Sequence, residues 1–536
     1  MTSDGLLIYD TTLRDGTQGE NVNFSAEEKL RIAKKLDEIG VHYIEGGWPA
    51  SNPRDMRFFQ NAKEYPFRNA RLTAFASTGK AGRHPRDCEN IIALLEAETP
   101  AVEIFGKSWD LHVREVLGLS LDENENIIGH SVEYLKSQGK EVLFAAEHFF
   151  DGYKNNSDYA MKTVEAALSA GADFIVLCDT NGGTLPWEIS DIIDRITPVI
   201  DGRQLGIHCH NDCGMAVANS LSAVQCGVRM VQGTINGYGE RCGNADLISI
   251  IANLQLKMNM ACLPPDSVTS LTALSRYVSD VANIPPLKSR PFVGKSAFAH
   301  KGGVHVNAIQ KNPRAYEHIE PEAVGNERRV IVSDLSGRST IRYKADEMGV
   351  TLDDDDHSVA DIVDTVKKME DEGYQFDVAG GTLELLIRES AGEVGDFFTL
   401  DSFQVTDQKN GDEASSSYAM IKISVGRDYE ITAAEGNGPV NALDNALRKA
   451  LSRFYPYVEE MHLVDFKVGI VEGREGTAAK VRVLLESRDE TDIWATMGVS
   501  TNIIEASWYA LVDSVRYKLM KDERSHHTNR SQNRTA

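Results

Sequence analysis

Between residues 6 and about 258 the chain alternates short β-rich runs with amphipathic helical stretches eight times over, and few folds accommodate that regularity. The runs are 6–12, 42–47, 71–77, 102–107, 141–149, 174–180, 204–212 and 230–239. Between them apolar residues recur at helical spacing, as Leu30, Ala33, Leu36 and Ile39 do within 26–39. Similar stretches lie at 158–170, 186–200, 215–226 and 244–258. Eight strand-then-helix units predict an α/β chain with a (β/α)8 TIM barrel. A doubly wound open sheet is the second choice, but it rarely holds eight such regular units.

At 536 residues the chain is too long for a single core. The barrel is expected over 1–285, followed by helical connector subdomains over 286–390. From 391 to 521 a pattern of three strands and a helix occurs twice. Strands at 397–405, 418–425 and 429–434 precede a helix at 440–451, and strands at 464–471, 478–486 and 491–498 precede one at 503–520. This predicts a small pseudo-duplicated α+β domain. Residues 522–536 are polar up to the last position and are expected to form a disordered tail.

A formal charge of -24 argues against nucleic acid or an anionic membrane as a partner. No apolar run is long enough to cross a bilayer, and residues 1–5 do not resemble a signal peptide. The seven cysteines show no Cys-x-x-Cys pair, which fits reduced thiols and a cytoplasmic location.

In a (β/α)8 barrel the active site lies where strands end and βα-loops begin. Arg14 and Asp15 follow the first strand, Glu45 lies on the second and Lys107 ends the fourth. Glu147 follows on the fifth, Asp179 and Thr180 on the sixth, His208 and His210 on the seventh, and Asn244 beyond the eighth. Side chains two apart on a strand share a face, so both imidazoles of His208-Cys209-His210 point one way. Barrel closure brings Asp15 beside them. One carboxylate and two imidazoles can hold a divalent cation while leaving coordination positions open, as a catalytic metal requires. The alternative, a pair of hydrogen-bonded core histidines, does not account for so many chemically capable residues at one rim.

Several motifs resemble those of the metal-dependent, acyl-CoA-condensing barrel family that contains 2-isopropylmalate, homocitrate and citramalate synthases, with hydroxymethylglutaryl-CoA lyase as a more distant relative. The first is Tyr9-Asp10-Thr11-Thr12-Leu13-Arg14-Asp15-Gly16-Thr17-Gln18. Others are His208–Asp212, Asn236–Asn244 and His300-Lys301-Gly302-Gly303-Val304-His305. Gly436–Val440 and Gly498–Ala506 are similar to the family's regulatory domain. Within the family the likeness is to the longer citramalate type. Gly46-Gly47-Trp48-Pro49 stands where isopropylmalate synthases commonly have a Gly-Phe-Pro segment, and Asn307 where many relatives carry Asp.

The resemblance implies a Claisen condensation, in which the methyl carbon of acetyl-CoA attacks the ketone of a 2-oxo acid and water releases CoA. Asp15, His208 and His210 would hold the metal, with Asn244 as a fourth or outer contact; Mg or Mn is favoured and Zn is possible by chemistry. Arg14 would stabilise the growing charge on the ketone oxygen, or form a structural ion pair with Glu45 or Glu147, and the two roles are compatible. Thr180 would donate to the substrate carboxylate, or serve as a plain strand-end hydroxyl. Glu147, in an expected apolar setting, and His305, implied to come from the neighbouring subunit of a homodimer, are the proton-handling groups, without a choice between them. Tyr316 is a further catalytic candidate. Trp48, Phe75 and Phe105 either narrow the pocket to pyruvate or belong to the barrel core. Gly237, Gly239 and Gly243 either present amides to a CoA phosphate or serve a tight loop. The C-terminal domain would bind an end-product amino acid: isoleucine for citramalate synthesis, leucine for isopropylmalate synthesis. A lyase of the hydroxymethylglutaryl type is the remaining alternative.

Overall fold

A computed structural model describes residues 5–201, 204–352, 356–409, 411, 415–471 and 478–535. Its first eight strands close into a parallel barrel in chain order. They are β1 (Leu7–Asp10), β2 (Tyr43–Gly47), β3 (Arg71–Ser77), β4 (Ala101–Lys107), β5 (Glu141–Glu147), β6 (Phe174–Asp179), β7 (Leu205–Cys209) and β8 (Met230–Gly233). Closure joins β1 to β8 in parallel, from Leu7 opposite Met230 to Asp10 opposite Gly233.

The two-residue period of the strands sorts their side chains. Ile8, Ile44, Val102, Ile104, Phe144, Ile175, Leu177, Ile207 and Val231 point outward into the large core shared with the helices. Tyr9, Tyr43, Ala101, Leu143, Ala145, Val176, Cys178 and Met230 fill the barrel interior. The same alternation puts Glu45, Glu103, Glu147, His208 and Gln232 on the inner side, so the interior changes from apolar to polar toward one end. The helix Ala26–Ile39 keeps its expected bounds because a Ser25–Glu28 capping box starts it and Gly40, at φ 91°, ends it.

Five barrel strands, β1, β5, β6, β7 and β8, stop earlier than expected. β5 ends at Glu147 because His148 takes φ 59° and the helix Phe149–Asn155 begins at once. β7 ends at Cys209, leaving His210 in an isolated bridge with Asn244. β8 ends at Gly233, and a 3-10 turn with Asn236 at φ 66° replaces the strand expected to 239.

The chain forms two compact units: residues 1–298 with 319–328, and residues 299–318 with 329–536. The second unit opens with the short pair β9 (Ala299–His300) and β10 (Arg329–Val330). Residues between Val332 and Ile387 share a small apolar core of their own. Two antiparallel three-stranded sheets follow, β11 (Thr399–Gln408), β12 (Ser416–Val425) and β13 (Asp428–Gly436), then β14 (His462–Ile470), β15 (Val481–Arg488) and β16 (Ile493–Ser500). The helix Pro439–Leu451 comes after the first sheet and Ile503–Thr535 after the second, and one apolar cluster joins both sets, as the duplication predicts. The last helix runs through 522–535, where disorder is expected. Residues 503–535 contain no Gly or Pro to interrupt a helix already nucleated on a packed face. Among the described residues no helix is long and apolar enough to cross a membrane.

Candidate active site at the barrel mouth

A cavity of about 220 Å³ opens where the eight strands end. Arg14, Asp15, Glu147, Thr180, His208 and His210 line it, and Trp48, Phe75 and Phe105 form an aromatic side. Nine residues expected at the site from sequence are thus brought to one place.

Asp15, His208 and His210 are all buried, and one ligand atom from each lies within 4.8 Å of the others. Nε2 of His208 is 3.4 Å from Asp15 Oδ2, and Nε2 of His210 is 3.9 Å from the same oxygen. Burial pushes the Asp15 carboxyl up, but Arg14 and both histidines outweigh it and hold it well below the usual range. Burial lowers His210 to about 4, Asp15 only partly opposing it, whereas for His208 the bond to Asp15 overcomes burial and the group is raised. Asn244 Nδ2 donates to Asp15 Oδ1 at 3.1 Å, while Asn244 Oδ1 is buried without a hydrogen-bond partner among the described residues. A carboxylate, two imidazoles and an orphaned amide oxygen, all buried, suit a divalent cation.

Arg14 is fixed from three sides. Its Nε donates to Glu45 Oε2 at 2.7 Å, one terminal nitrogen to Asp15 Oδ2 at 3.1 Å, and the guanidinium lies 3.8 Å over the Phe75 ring. Of the two structural partners considered for it, Glu45 is the one it meets. Glu147 does not have the apolar setting expected of it. Its register partner across β4–β5 is Lys107, and the two side chains form an ion pair. Thr180 Oγ1 accepts from the His148 amide at 2.8 Å, which leaves its own proton to donate.

Trp48 packs edge-on against Phe75 and Phe105, with centroids 5.8 and 5.6 Å away, and those two rings stack at 5.3 Å. A buried clamp sets Trp48: its amide donates to Asp55 Oδ2 at 2.9 Å, and Lys29 Nζ pairs with Asp55 Oδ1. Gly47, at φ 149°, must lack a side chain because a Cβ there would strike Asp55. Gly239 and Gly243 answer to loop closure: a Cβ on the first would meet Asn244, and one on the second the Gly237 carbonyl.

His305 and Tyr316 belong to the second unit, where their rings stack at 4.1 Å and 27°. Tyr316 is 46% exposed there. Two inner-face residues of the site are not evident from sequence. Glu103 lines the cavity, and burial, reinforced by the charge of Glu45, pushes it up to about 7. Gln232 sits between Glu103 and His208. Their only signal in the sequence is a polar residue interrupting each apolar strand.

The HMGL-like family model matches residues 6–278, the homocitrate synthase post-HMGL domain-like model 292–374, and the LeuA allosteric (dimerisation) domain model 377–519. An (R)-citramalate synthase from Aquifex aeolicus (strain VF5) is 53% identical over 97% of this chain and 99% of its own. The chain belongs to the citramalate synthase branch of the HMGL-like family. An (R)-citramalate synthase from Geobacter sulfurreducens is 54% identical over 96% of this chain and 98% of its own. A 2-isopropylmalate synthase from Yersinia pestis (strain Pestoides F) is 32% identical over 95% of each chain. Likeness therefore favours the citramalate type over the isopropylmalate type. The family is metal-dependent, and the Asp15–His208–His210 group is where this chain can hold the ion.

Proposed function

We propose that this protein condenses acetyl-CoA with pyruvate and water to give (R)-citramalate and CoA, the opening step of isoleucine synthesis, working as a homodimer in the cytoplasm. The observation that carries the reading is the buried Asp15–His208–His210 group at the floor of a small cavity walled by Trp48, Phe75 and Phe105.

Asp15, His208 and His210 would hold a divalent cation there, Mg or Mn, which would supply Lewis-acid polarisation of the bound 2-oxo acid. The protein's own groups do the rest. Asn244 Oδ1, lacking any other partner, completes the donor set. Arg14 faces the ketone oxygen as it gains charge, already immobilised by Glu45 and Phe75, so no reorganisation is needed at that moment. Thr180 donates its hydroxyl proton to the substrate carboxylate. Glu147, steered by Lys107, and a His305 supplied by the second subunit of the dimer handle the proton lost from the acetyl methyl group, with Tyr316 supporting His305. Carbon–carbon bond formation leaves a thioester, which water cleaves to release CoA. The cavity of about 220 Å³ suits a small keto acid, and the three rings limit its side chain to a methyl group. The duplicated C-terminal domain binds isoleucine and lowers activity.

A CoA-release assay with pyruvate, 2-oxobutyrate, 2-oxoisovalerate and 2-oxoglutarate tests the reading. Pyruvate is expected to give the highest kcat/KM, with isoleucine inhibiting more strongly than leucine. Preference for 2-oxoisovalerate would make the protein an isopropylmalate synthase, and cleavage of an acyl-CoA without condensation would make it a lyase.

A further inference from the structure

We propose that Glu103 and Gln232 form a polar relay that dictates which ring nitrogen of His208 faces the cation, and that they are positioning residues for the metal centre. The proposal rests on the metal reading of Asp15, His208 and His210.

His208 and Gln232 are register partners on neighbouring strands β7 and β8. Gln232 Oε1 lies 3.1 Å from His208 Nδ1, the ring nitrogen that is not turned toward Asp15. The other end of the same amide, Nε2, donates to Glu103 Oε2 at 2.6 Å, reaching across the barrel to β4. Gln232 and Glu103 are each 1% exposed.

The chemistry runs in one direction. Gln232 turns the NH₂ end of its amide to Glu103, where Nε2 donates to Oε2. The amide oxygen must then face His208, and an oxygen accepts only, so the His208 proton sits on Nδ1. Nε2, on the side of Asp15, is then the nitrogen that gives up its proton and offers its lone pair when a cation is held there. Without Glu103, a buried amide could turn over and present NH₂ to the ring. Nδ1 would then have to accept, the proton would move to Nε2, and the ligand lone pair would be lost.

The neighbouring ligand shows that this is not a general feature of the site. His210 Nδ1 is buried with no hydrogen-bond partner among the described residues, so the protein sets the tautomer of one imidazole and leaves the other to the ion. His208 is the pre-set ligand.

The test is Mn²⁺ affinity of the full-length protein, read from the electron paramagnetic resonance of free Mn²⁺, with thermal unfolding as the check on folding. Gln232→Met keeps the volume and removes both polar ends; it is expected to weaken Mn²⁺ binding by about 10- to 100-fold. The exchange double variant E103Q/Q232E reverses the amide and the acid. The carboxylate placed on β8 then accepts both from His208 Nδ1 and from the amide placed on β4, so affinity is expected to return to within about threefold of the parent. Mere packing would not be rescued by exchanging acid and amide. Parent-like affinity in Gln232→Met, or an exchange variant as weak as Gln232→Met, overturns the relay. If Gln232→Met is recovered unfolded, Glu103→Met takes its place, and parent-like affinity in that variant overturns the relay in the same way. Failure of the parent itself to bind Mn²⁺, or binding unaffected by His210→Ala, would instead bring down the metal reading.

Discussion

Asn244 spends both amide hydrogens within the protein, donating to Asp15 Oδ1 and to the Tyr238 carbonyl, each at 3.1 Å. Its oxygen is thereby turned outward from both, buried and unpartnered. An unsatisfied buried acceptor costs about 1–3 kcal/mol, a cost that a bound cation removes. Asn244→Ala is therefore expected to weaken Mn²⁺ binding about tenfold, which lowers the stabilisation given by saturating Mn²⁺ by about 1.4 kcal/mol. Thermal unfolding with and without Mn²⁺ measures this directly. An undiminished Mn²⁺-induced shift would remove Asn244 from the donor set.

For Arg14 the expected loss is in the chemical step. Arg14→Lys keeps a positive charge but cannot hold Glu45 and Asp15 at once while lying flat on Phe75. Losing a pre-oriented donor to a developing oxyanion costs about 10²- to 10³-fold in kcat. Steady-state CoA release with pyruvate should show that drop, with circular dichroism unchanged. A change confined to KM would mean that Arg14 only holds substrate.

How much of this is legible in the residues alone depends on the range of the interaction. The helix Ala26–Ile39 is legible to the residue because its Ser25–Glu28 box and Gly40 are local signals. The Asp15–His208–His210 group is legible because the two histidines lie two apart and chain order implies closure onto Asp15. Strand ends are less so: Phe149 and Ile235 look like strand residues, but the positive φ of His148 and Asn236 turns the chain beside them. Gln232 and Glu103 meet across 129 positions, which no spacing rule reveals. Lys107 opposite Glu147 is likewise a matter of register. The helix beyond 521 depends on a packed face upstream that polar composition conceals.

Pocket size should respond to Trp48 without collapse of the site, because this ring closes over Phe75 and Phe105 while leaving the contact between Arg14 and Phe75 alone. Trp48→Leu opens space beside the substrate methyl group. One methylene is worth about 1–3 kcal/mol in such a pocket, so the ratio of kcat/KM for 2-oxobutyrate to that for pyruvate should rise about tenfold or more. An unchanged ratio would place these rings in the barrel core and the specificity elsewhere.

Stability of the second unit should depend on pH through Asp513. Burial pushes this carboxyl from 3.8 up to about 7, although the Thr382 hydroxyl, which donates to it at 2.9 Å, and Arg516 oppose the shift. The folded state therefore holds the proton between about pH 4 and 7, where the unfolded chain has released it. Its contribution is full below about pH 4 and is lost as pH rises toward 7, by on the order of a few kcal/mol. Asp513→Asn keeps an oxygen for the Thr382 hydroxyl and carries no charge at any pH. Urea unfolding at about pH 5 and about pH 8, on either side of the folded-state value, should show the parent losing more stability over that interval than Asp513→Asn, with the variant the more stable at the higher pH. Equal losses would mean that Asp513 ionises in the folded state much as it does in the unfolded one.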